Sequence, residues 1–249
     1  MASRDDIQKD IPKARDGQNV DAVYSRLRAA ILRGEIEAGA TVPQARLAGE
    51  IGAGRTPLRE ALRMLQRDGL VVSEPNRSVR IAALSAEDFE ELCIMRVALE
   101  AVAIRITVPA LRSSDLAELE GYMAQMGHYQ RAGDEAGWRA PHRAFHRLLV
   151  AASGPRVVGE IADLSDHSER YRLRFGGHRV RDDGRAEHRG ILDAAASGAP
   201  ELAAVRLAEH YARTAVLVFG VLEPGRDPGR LRTAIGAVAP GAEAALGAG

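Results

Sequence analysis

The stretch Gly54-Arg-Thr-Pro-Leu-Arg-Glu-Ala-Leu62 decides the fold of the first part of the chain. Proline in the first turn suits a helix start, and Gly69 suits a helix end. Between them an apolar stripe recurs at helical spacing, formed by Leu58, Ala61, Leu62 and Leu65. The segment therefore predicts an amphipathic helix that begins near Arg55.

The sequence on either side predicts a winged helix-turn-helix domain. Upstream, one amphipathic helix ends near Gly34, and a second runs from about Gln44 to Ile51. Downstream, short strands at 70–72 and 79–81 flank the turn residues Glu74-Pro-Asn-Arg77. The upstream helix has its own apolar stripe, formed by Val23, Leu27, Ala30 and Ile31. A helix, a helix-turn-helix pair and a hairpin, in this order, are typical of a DNA-binding winged helix.

The third helix carries arginines opposite its apolar stripe. Arg55, Arg59 and Arg63 follow at i, i+4 and i+8, so they share one face. The guanidinium fork pairs with guanine edges or with phosphates through two hydrogen bonds, which favours a major-groove contact. Thr56 at the helix start could bond a phosphate, and Arg77 at the hairpin tip could enter the minor groove. The alternative is a solvated arginine face on a packing domain.

From Ser85 onward, helical patterns predict an all-helical bundle of about six helices. Ser85-Ala-Glu-Asp88 predicts a capping box that opens the first of them, with an apolar face formed by Leu92, Met95, Leu99 and Val102. The other predicted helices are 113–132, 135–153, 155–175, 182–197 and 201–221. The predicted organisation is a disordered arm over 1–19, a winged helix over 20–82, the bundle over 83–222 and a flexible tail over 223–249. A short helix is expected within the tail, near Leu231 to Val238.

Composition narrows the classes of function. The 249 residues carry 34 basic and 34 acidic side chains. The two charges are not evenly distributed along the chain. Residues 20–82 are basic, with ten arginines and seven acidic residues, whereas residues 83–222 are mildly acidic, with seventeen arginines and twenty acidic residues. The single cysteine, Cys93, excludes an internal disulfide framework and a cysteine-cluster zinc site. The sequence shows neither a membrane span nor a signal peptide, so we expect a soluble cytoplasmic protein.

Four histidines form a candidate metal site. His142 and His146 are four residues apart, a spacing that lets two imidazoles of one helix reach one ion. His188 and His210 lie in the last two predicted helices and would join them if those helices are adjacent. The alternative is that these are ordinary surface or core histidines, which is the commoner fate of histidine pairs on helices.

The N-terminal segment resembles the winged-helix domain of GntR-family transcription regulators. The matching elements are Gly34-Glu-Ile-Glu-Ala-Gly39, Leu47-Ala48, Gly54 to Leu62, Leu65, Asp68-Gly-Leu-Val71 and Pro75-Asn-Arg77. The resemblance implies DNA contacts by Arg46, Arg55, Thr56, Arg59, Arg63, Asn76 and Arg77. The chain departs from the family at Gly54, where serine or threonine is usual, and at Ser78, where glycine is usual.

The C-terminal segment resembles the FCD ligand-binding domain of the FadR subgroup. The matching elements are Arg96-Val-Ala-Leu-Glu100, Phe145-His146, Ala151-Ala-Ser-Gly154, Glu187-His188 and His210. The resemblance implies a divalent metal held by His146, His188 and His210, with His142 where the family usually has a carboxylate. Four nitrogen ligands favour a transition metal such as zinc or nickel. A small carboxylate effector is also implied, and Arg96 could pair with it or could form an ion pair with Glu100.

Together these features predict a mainly α bacterial transcription regulator, and a repressor rather than an enzyme. We expect a cytoplasmic, nucleoid-associated homodimer that binds double-stranded operator DNA and whose affinity is set by a small organic acid in a metal-containing bundle. The alternatives are an FCD-type regulator without metal and a metal-dependent enzyme built on the histidine bundle.

Overall fold

The computed structural model describes residues 19–74, 78–176 and 179–247. The chain divides into two compact units, Met1–Leu84 and Ser85–Gly249. Most of the predicted disordered arm and the wing-tip residues Asn76 and Arg77 lie outside the described residues. In the described ranges, no helix has the length and apolar content needed to cross a membrane.

The first unit is a winged helix-turn-helix. Its elements are α1 (Val20–Leu32), β1 (Thr41–Pro43), α2 (Gln44–Ile51), α3 (Arg55–Arg67), β2 (Val71–Glu74) and β3 (Ser78–Ile81). The strands form an antiparallel sheet in the order β1-β3-β2. Val79 of the central strand β3 lies between Val42 of β1 and Ser73 of β2. Strand β1 was not predicted, because three residues carry too little alternation to indicate a strand.

The predicted apolar stripes of the first unit form its core. The stripes of α1 and α3 are buried and pack on one another, together with Leu47, Ile51, Leu70, Val79 and Ile81. Asn19 caps α1 by accepting hydrogen bonds from the Asp21 and Ala22 N–H groups. Gly54 offers α3 no such side-chain cap. The packing of α1 on α3 therefore fixes which face of α3 remains exposed.

The second unit is a helical bundle. The six predicted helices are present as α4 (Ala86–Thr107), α5 (Ser113–Ala132), α6 (Glu135–Leu148), α7 (Pro155–Tyr171), α8 (Arg179–Ala196) and α9 (Pro200–Leu222). Ser85 caps α4 by accepting from the Asp88 N–H, as its sequence predicts. Helix α9 packs along both α4 and α8, and α6 packs on α5. This arrangement brings α6, α8 and α9 around one interior region.

The predicted apolar face of α4 is only partly correct. Leu92 is buried, but Met95 and Val102 are 45% and 52% exposed, and Ile106 one turn further on is 51% exposed. The buried face of α4 instead uses residues such as Val97 and Ile104. Helix α4 is apolar on more than one side, so periodicity alone could not show which side the chain covers.

The tail, 223–249, is predicted to be flexible apart from a short helix near Leu231 to Val238. That helix is present, but the prediction of flexibility is wrong for the described residues 223–247. They form α10 (Gly229–Val238) and a 3-10 turn (Ala242–Leu246), which pack on α4 and α9. Buried Glu90 of α4 accepts hydrogen bonds from the Leu231 N–H at 3.2 Å and the Arg226 Nη2 at 2.7 Å. The apolar residues Leu231, Ile235 and Leu246 are buried as well. A few well-placed apolar side chains and one buried carboxylate anchor a segment that its Gly, Pro and Ala content predicts to be loose.

Candidate nucleic-acid interface and candidate metal centre

The outward face of α3 carries the predicted arginines. Arg55, Thr56, Arg59 and Arg63 are exposed, while the opposite stripe of the helix is buried. Because an α-helix rises about 1.5 Å per residue, these three guanidinium groups follow one another at steps of roughly 6 Å along one face. We call Arg55, Arg59 and Arg63 the arginine face. The interior packing of α3 leaves the arginine face available to DNA.

Two of the predicted DNA contacts are engaged in surface ion pairs. Arg63 donates to Glu60 at 2.7 Å and Arg46 donates to Glu50 at 2.6 Å. Exposed pairs of this kind contribute ~0.2–1 kcal/mol, whereas a bidentate arginine contact to a base is worth ~1–3 kcal/mol. The ion pair with Glu60 is therefore weak enough for Arg63 to exchange it for a base, and the pair with Glu50 leaves Arg46 accessible at the surface as well.

The four predicted metal ligands converge in the bundle. His142 and His146 lie on α6, His188 on α8 and His210 on α9, and their ligand atoms all lie within 4.8 Å of one another. His146, His188 and His210 are buried, and His142 is partly buried. We call these four residues the histidine cluster. Three separate helices build it, so the convergence is a property of the tertiary fold.

The spacing within the histidine cluster suits one metal ion. The Nε2 atoms of His146 and His188 are 3.1 Å apart. Two nitrogens at ~2.0–2.1 Å from a tetrahedral zinc ion lie about 3.3 Å from each other. Four imidazoles form a donor set that suits zinc, nickel or copper rather than magnesium or calcium. The residues present thus fit a divalent transition metal.

Hydrogen bonds outside the histidine cluster set the orientation of its rings. His188 Nδ1 bonds the Gly184 carbonyl, one turn earlier on α8. His210 Nδ1 bonds Glu187 Oε2 at 2.7 Å, and His146 Nδ1 lies 3.5 Å from the Tyr211 hydroxyl. A carbonyl or carboxylate oxygen only accepts, so His188 and His210 carry their hydrogen on Nδ1 and keep the Nε2 lone pair for a ligand.

Burial keeps three of the four imidazoles neutral. Burial lowers the pKa of His142, His146 and His188 well below the usual histidine range, and positive charge on neighbouring groups, including Arg172, lowers it further. The Arg172 guanidinium lies over the Trp138 ring, which in turn stacks on His142 at 4.2 Å. Neutral imidazole is the form that binds metals.

The predicted effector residue Arg96 lies beside the histidine cluster in a buried polar network. Its Nε donates to Glu100 at 2.9 Å and its Nη2 donates to the Tyr211 hydroxyl at 2.7 Å. The Tyr211 hydroxyl in turn donates to Glu100 at 2.5 Å. The i, i+4 pair with Glu100 is therefore present, but it is buried instead of lying on the surface.

Among the described residues of the second unit, a small cavity and a wide groove could admit a ligand. A cavity of about 40 Å³ is lined by Arg96, Trp138 and Arg172 together with His142, His188 and His210. It has room for a few water molecules. A much wider, open groove of about 1060 Å³ runs between α8 and α9. An organic acid that reaches the imidazoles must therefore displace side chains around the small cavity.

Sequence reasoning missed four neighbours of the histidine cluster: Glu100, Trp138, Glu187 and Tyr211. The sequence indicates Glu100 only as a possible partner of Arg96. Trp138 precedes His142 by four residues, so helical spacing could have placed it against that ring. Glu187 and Tyr211 contact histidines of other helices, and no local pattern indicates such contacts.

Comparison with known proteins agrees with the two-unit fold. The model of bacterial regulatory proteins of the gntR family matches residues 19–81, and the FCD domain model matches residues 91–213. The HTH-type transcriptional regulator YdhC of Bacillus subtilis is 28% identical over 82% of this chain and 92% of its own length. A probable D-xylose utilization operon transcriptional repressor of Paenarthrobacter nicotinovorans is 30% identical over 73% of this chain and 80% of its own length.

The solved structures support the same fold. Escherichia coli McbR/YncC superposes with a TM-score of 0.70, covering 80% of this chain and 96% of that one, at 20% identity. At this identity the match supports the fold alone. The order of a winged helix followed by a helical bundle is therefore shared with structures whose sequences have diverged widely.

Proposed function

The chain belongs to the GntR family of bacterial DNA-binding transcription regulators and carries an FCD domain, and from this premise we propose that it is a repressor controlled by a metal-bound carboxylate. Its family and relatives are regulators, so the prediction that it is not an enzyme is confirmed. The observation that carries the proposal is the combination of an exposed arginine face in one unit with a buried histidine cluster in the other.

Helix α3 is proposed to enter the major groove with the arginine face toward the bases. Arg55, Arg59 and Arg63 then contact base edges or phosphates, and Thr56 and the N–H groups at the start of α3 hold a phosphate. Arg46 on α2 adds a backbone contact, and Asn76 and Arg77 at the wing tip contribute from outside the described residues. Chromosomal DNA as the partner implies action at the nucleoid in the cytoplasm.

The histidine cluster is proposed to hold one divalent transition metal, with zinc or nickel as the candidates. His142, His146, His188 and His210 are the ligands. Burial lowers the pKa of the first three, which keeps those rings in the neutral form that binds a metal. When bound, an ion that accepts more than four ligands would supply an electrophilic centre to which a carboxylate oxygen can attach. Arg96, Arg172 and Glu169 line the same cavity, and Arg172 pairs with Glu169. Either guanidinium could exchange its carboxylate partner for an anionic effector.

The size of the cavity supports a conformational switch. About 40 Å³ is too small for a multi-carbon acid, so such a ligand binds a bundle whose helices or side chains have moved. A ligand that prefers that arrangement shifts the population toward it. Binding of the ligand then changes the affinity for the operator by a certain factor. Binding of the operator changes the affinity for the ligand by the same factor.

The proposed operator recognition is tested by selecting duplexes from a random pool with the full-length chain. A homodimer binds two half-sites related by a two-fold axis, about one helical turn apart or a multiple of that distance. We therefore expect enrichment of a two-fold symmetric sequence, which then serves as the operator duplex. Failure to enrich any sequence over repeated rounds would contradict the proposal.

The exposed apolar residues of α4 are proposed to contribute to the homodimer interface. Replacing Val102 and Ile106 by aspartate should convert the dimer to a monomer, because charges on a buried interface lose their hydration without gaining partners. The measurement is molar mass by size-exclusion chromatography with light scattering. Val72→Asp, at another exposed valine in the first unit, is the matched control and should leave the mass unchanged. A double variant that remains dimeric would exclude this face of α4.

A further inference from the structure

Glu187 lies directly behind one ring of the histidine cluster. Its Oε2 is 2.7 Å from His210 Nδ1, and its side chain is only 10% exposed. Glu187 belongs to α8 and His210 to α9, so the contact joins two helices that both contribute histidines. The second carboxylate oxygen, Oε1, lies 3.4 Å from Arg213 Nη1. The carboxylate is therefore held on both sides.

The contact fixes the state of the His210 ring. A carboxylate accepts hydrogen bonds and donates none, so His210 must donate through Nδ1–H. The Nε2 lone pair on the other side of the ring is then free to bind an ion. Without Glu187 the ring could carry its hydrogen on either nitrogen and could turn about its side-chain bonds.

Glu187 differs in charge from the partners of His188 and His146. Those partners are the Gly184 carbonyl and the Tyr211 hydroxyl, both neutral. Four neutral imidazoles bring no negative charge to a divalent cation, and an uncompensated charge in a buried site is costly. Only the His210 ring separates the Glu187 carboxylate from the position of the metal ion, so the carboxylate can compensate part of the positive charge.

We infer that Glu187 is a positioning residue for the metal: it orients His210 with Nε2 toward the ion and supplies negative charge that the four histidines lack. This inference rests on the metal site proposed above. A ligating histidine whose other nitrogen donates to a carboxylate is a recurring arrangement in metalloproteins, and loss of such a partner costs about 10- to 100-fold in metal affinity.

The test is titration of the metal-stripped full-length chain with cobalt(II), followed by visible absorption. Glu187→Ala removes both orientation and charge, and we expect affinity to fall about 10- to 100-fold with a changed absorption spectrum. Glu187→Gln keeps an oxygen acceptor for Nδ1–H and removes the charge, so we expect a smaller fall with a spectrum close to that of the wild type. If the alanine variant fails to fold, the glutamine variant carries the test.

Glu209→Gln is the matched control. Glu209 precedes His210 on α9 and also contacts Arg213, at 3.5 Å, together with Arg206. We expect its cobalt affinity and spectrum to match those of the wild type. The control therefore separates the specific contact with His210 from a general loss of negative charge near the site.

The outcomes distinguish this inference from the proposed metal site. If the wild type binds cobalt and both Glu187 variants bind it with the same affinity and spectrum, the inference is wrong and the metal site stands. If only the glutamine variant matches the wild type, the charge-compensation part is wrong. If the wild type takes up no cobalt, nickel or zinc, the metal site is wrong, and this inference falls with it.

Discussion

Replacing Arg59 by alanine should weaken binding to the selected operator duplex by about 5- to 150-fold. Arg59 occupies the middle of the arginine face, on the exposed side of a helix whose other side is fully engaged in the core. A bidentate arginine contact to a base contributes ~1–3 kcal/mol, which corresponds to this range. Because the side chain is exposed, the variant should fold as the wild type does. Fluorescence anisotropy with a labelled duplex, at fixed salt, measures the effect.

The control and the salt dependence show what Arg59 contacts. Arg33→Ala removes an exposed arginine that pairs with Glu35 just beyond α1, away from the arginine face, so it changes net charge without touching the proposed contact. If Arg59 binds a base, its loss should relax sequence preference; if it binds a phosphate, the slope of log affinity against log salt should decrease by about one. Full affinity in Arg59→Ala would contradict the proposed docking of α3.

Replacing His188 by alanine should eliminate stable metal binding. His188 is buried, its Nε2 lies 3.1 Å from that of His146, and its Nδ1 is fixed by the Gly184 carbonyl. Loss of a metal ligand should lower the metal affinity by more than the roughly 10- to 100-fold expected when only a hydrogen-bond partner of a ligand is lost. The metal content of protein purified without chelator, measured by plasma mass spectrometry, should fall from about one ion per chain to near zero.

His128→Ala is the matched control for this loss, since His128 is exposed on α5, outside the histidine cluster. Its metal content should equal that of the wild type. Trp138 provides a second measurement, because it is the one tryptophan of the chain and stacks on His142. Nickel or cobalt should change its fluorescence in the wild type and not in His188→Ala. Equal metal content in all three proteins would place the ion elsewhere.

Local patterns were sufficient to predict much of the fold. The α3 stripe and the arginine face depend on residues three or four apart, and one helix brings such residues together without help from the rest of the chain. The pairing of His142 with His146 has the same origin. Strand β1 could not be predicted in this way, because Thr41–Pro43 is a strand only through its pairing with β3.

Contacts between helices explain the remaining differences. From the sequence, His188 and His210 join the histidines of α6 only on the condition that their helices are adjacent. Spacing along one helix cannot test that condition, and the family resemblance made it an expectation. Glu187 was missed because its partner is on α9. The composition of the tail, poor in large apolar residues, predicts a flexible segment with at most a short helix. It does not show that Glu90 and a few buried side chains hold that helix, α10, on α4.

The measurement that tests the account most directly is the operator affinity of the wild type with and without a bound ligand. The full-length chain is titrated onto the selected duplex in four states: metal-free, with zinc, with nickel, and with either metal plus each member of a panel of small carboxylates whose binding is verified by calorimetry. We expect at least one carboxylate to change the operator Kd by about 5- to 150-fold, the range typical of coupling between two sites. We expect no change in His188→Ala. An operator Kd that is the same for every carboxylate shown to bind would contradict the proposed link between the histidine cluster and DNA.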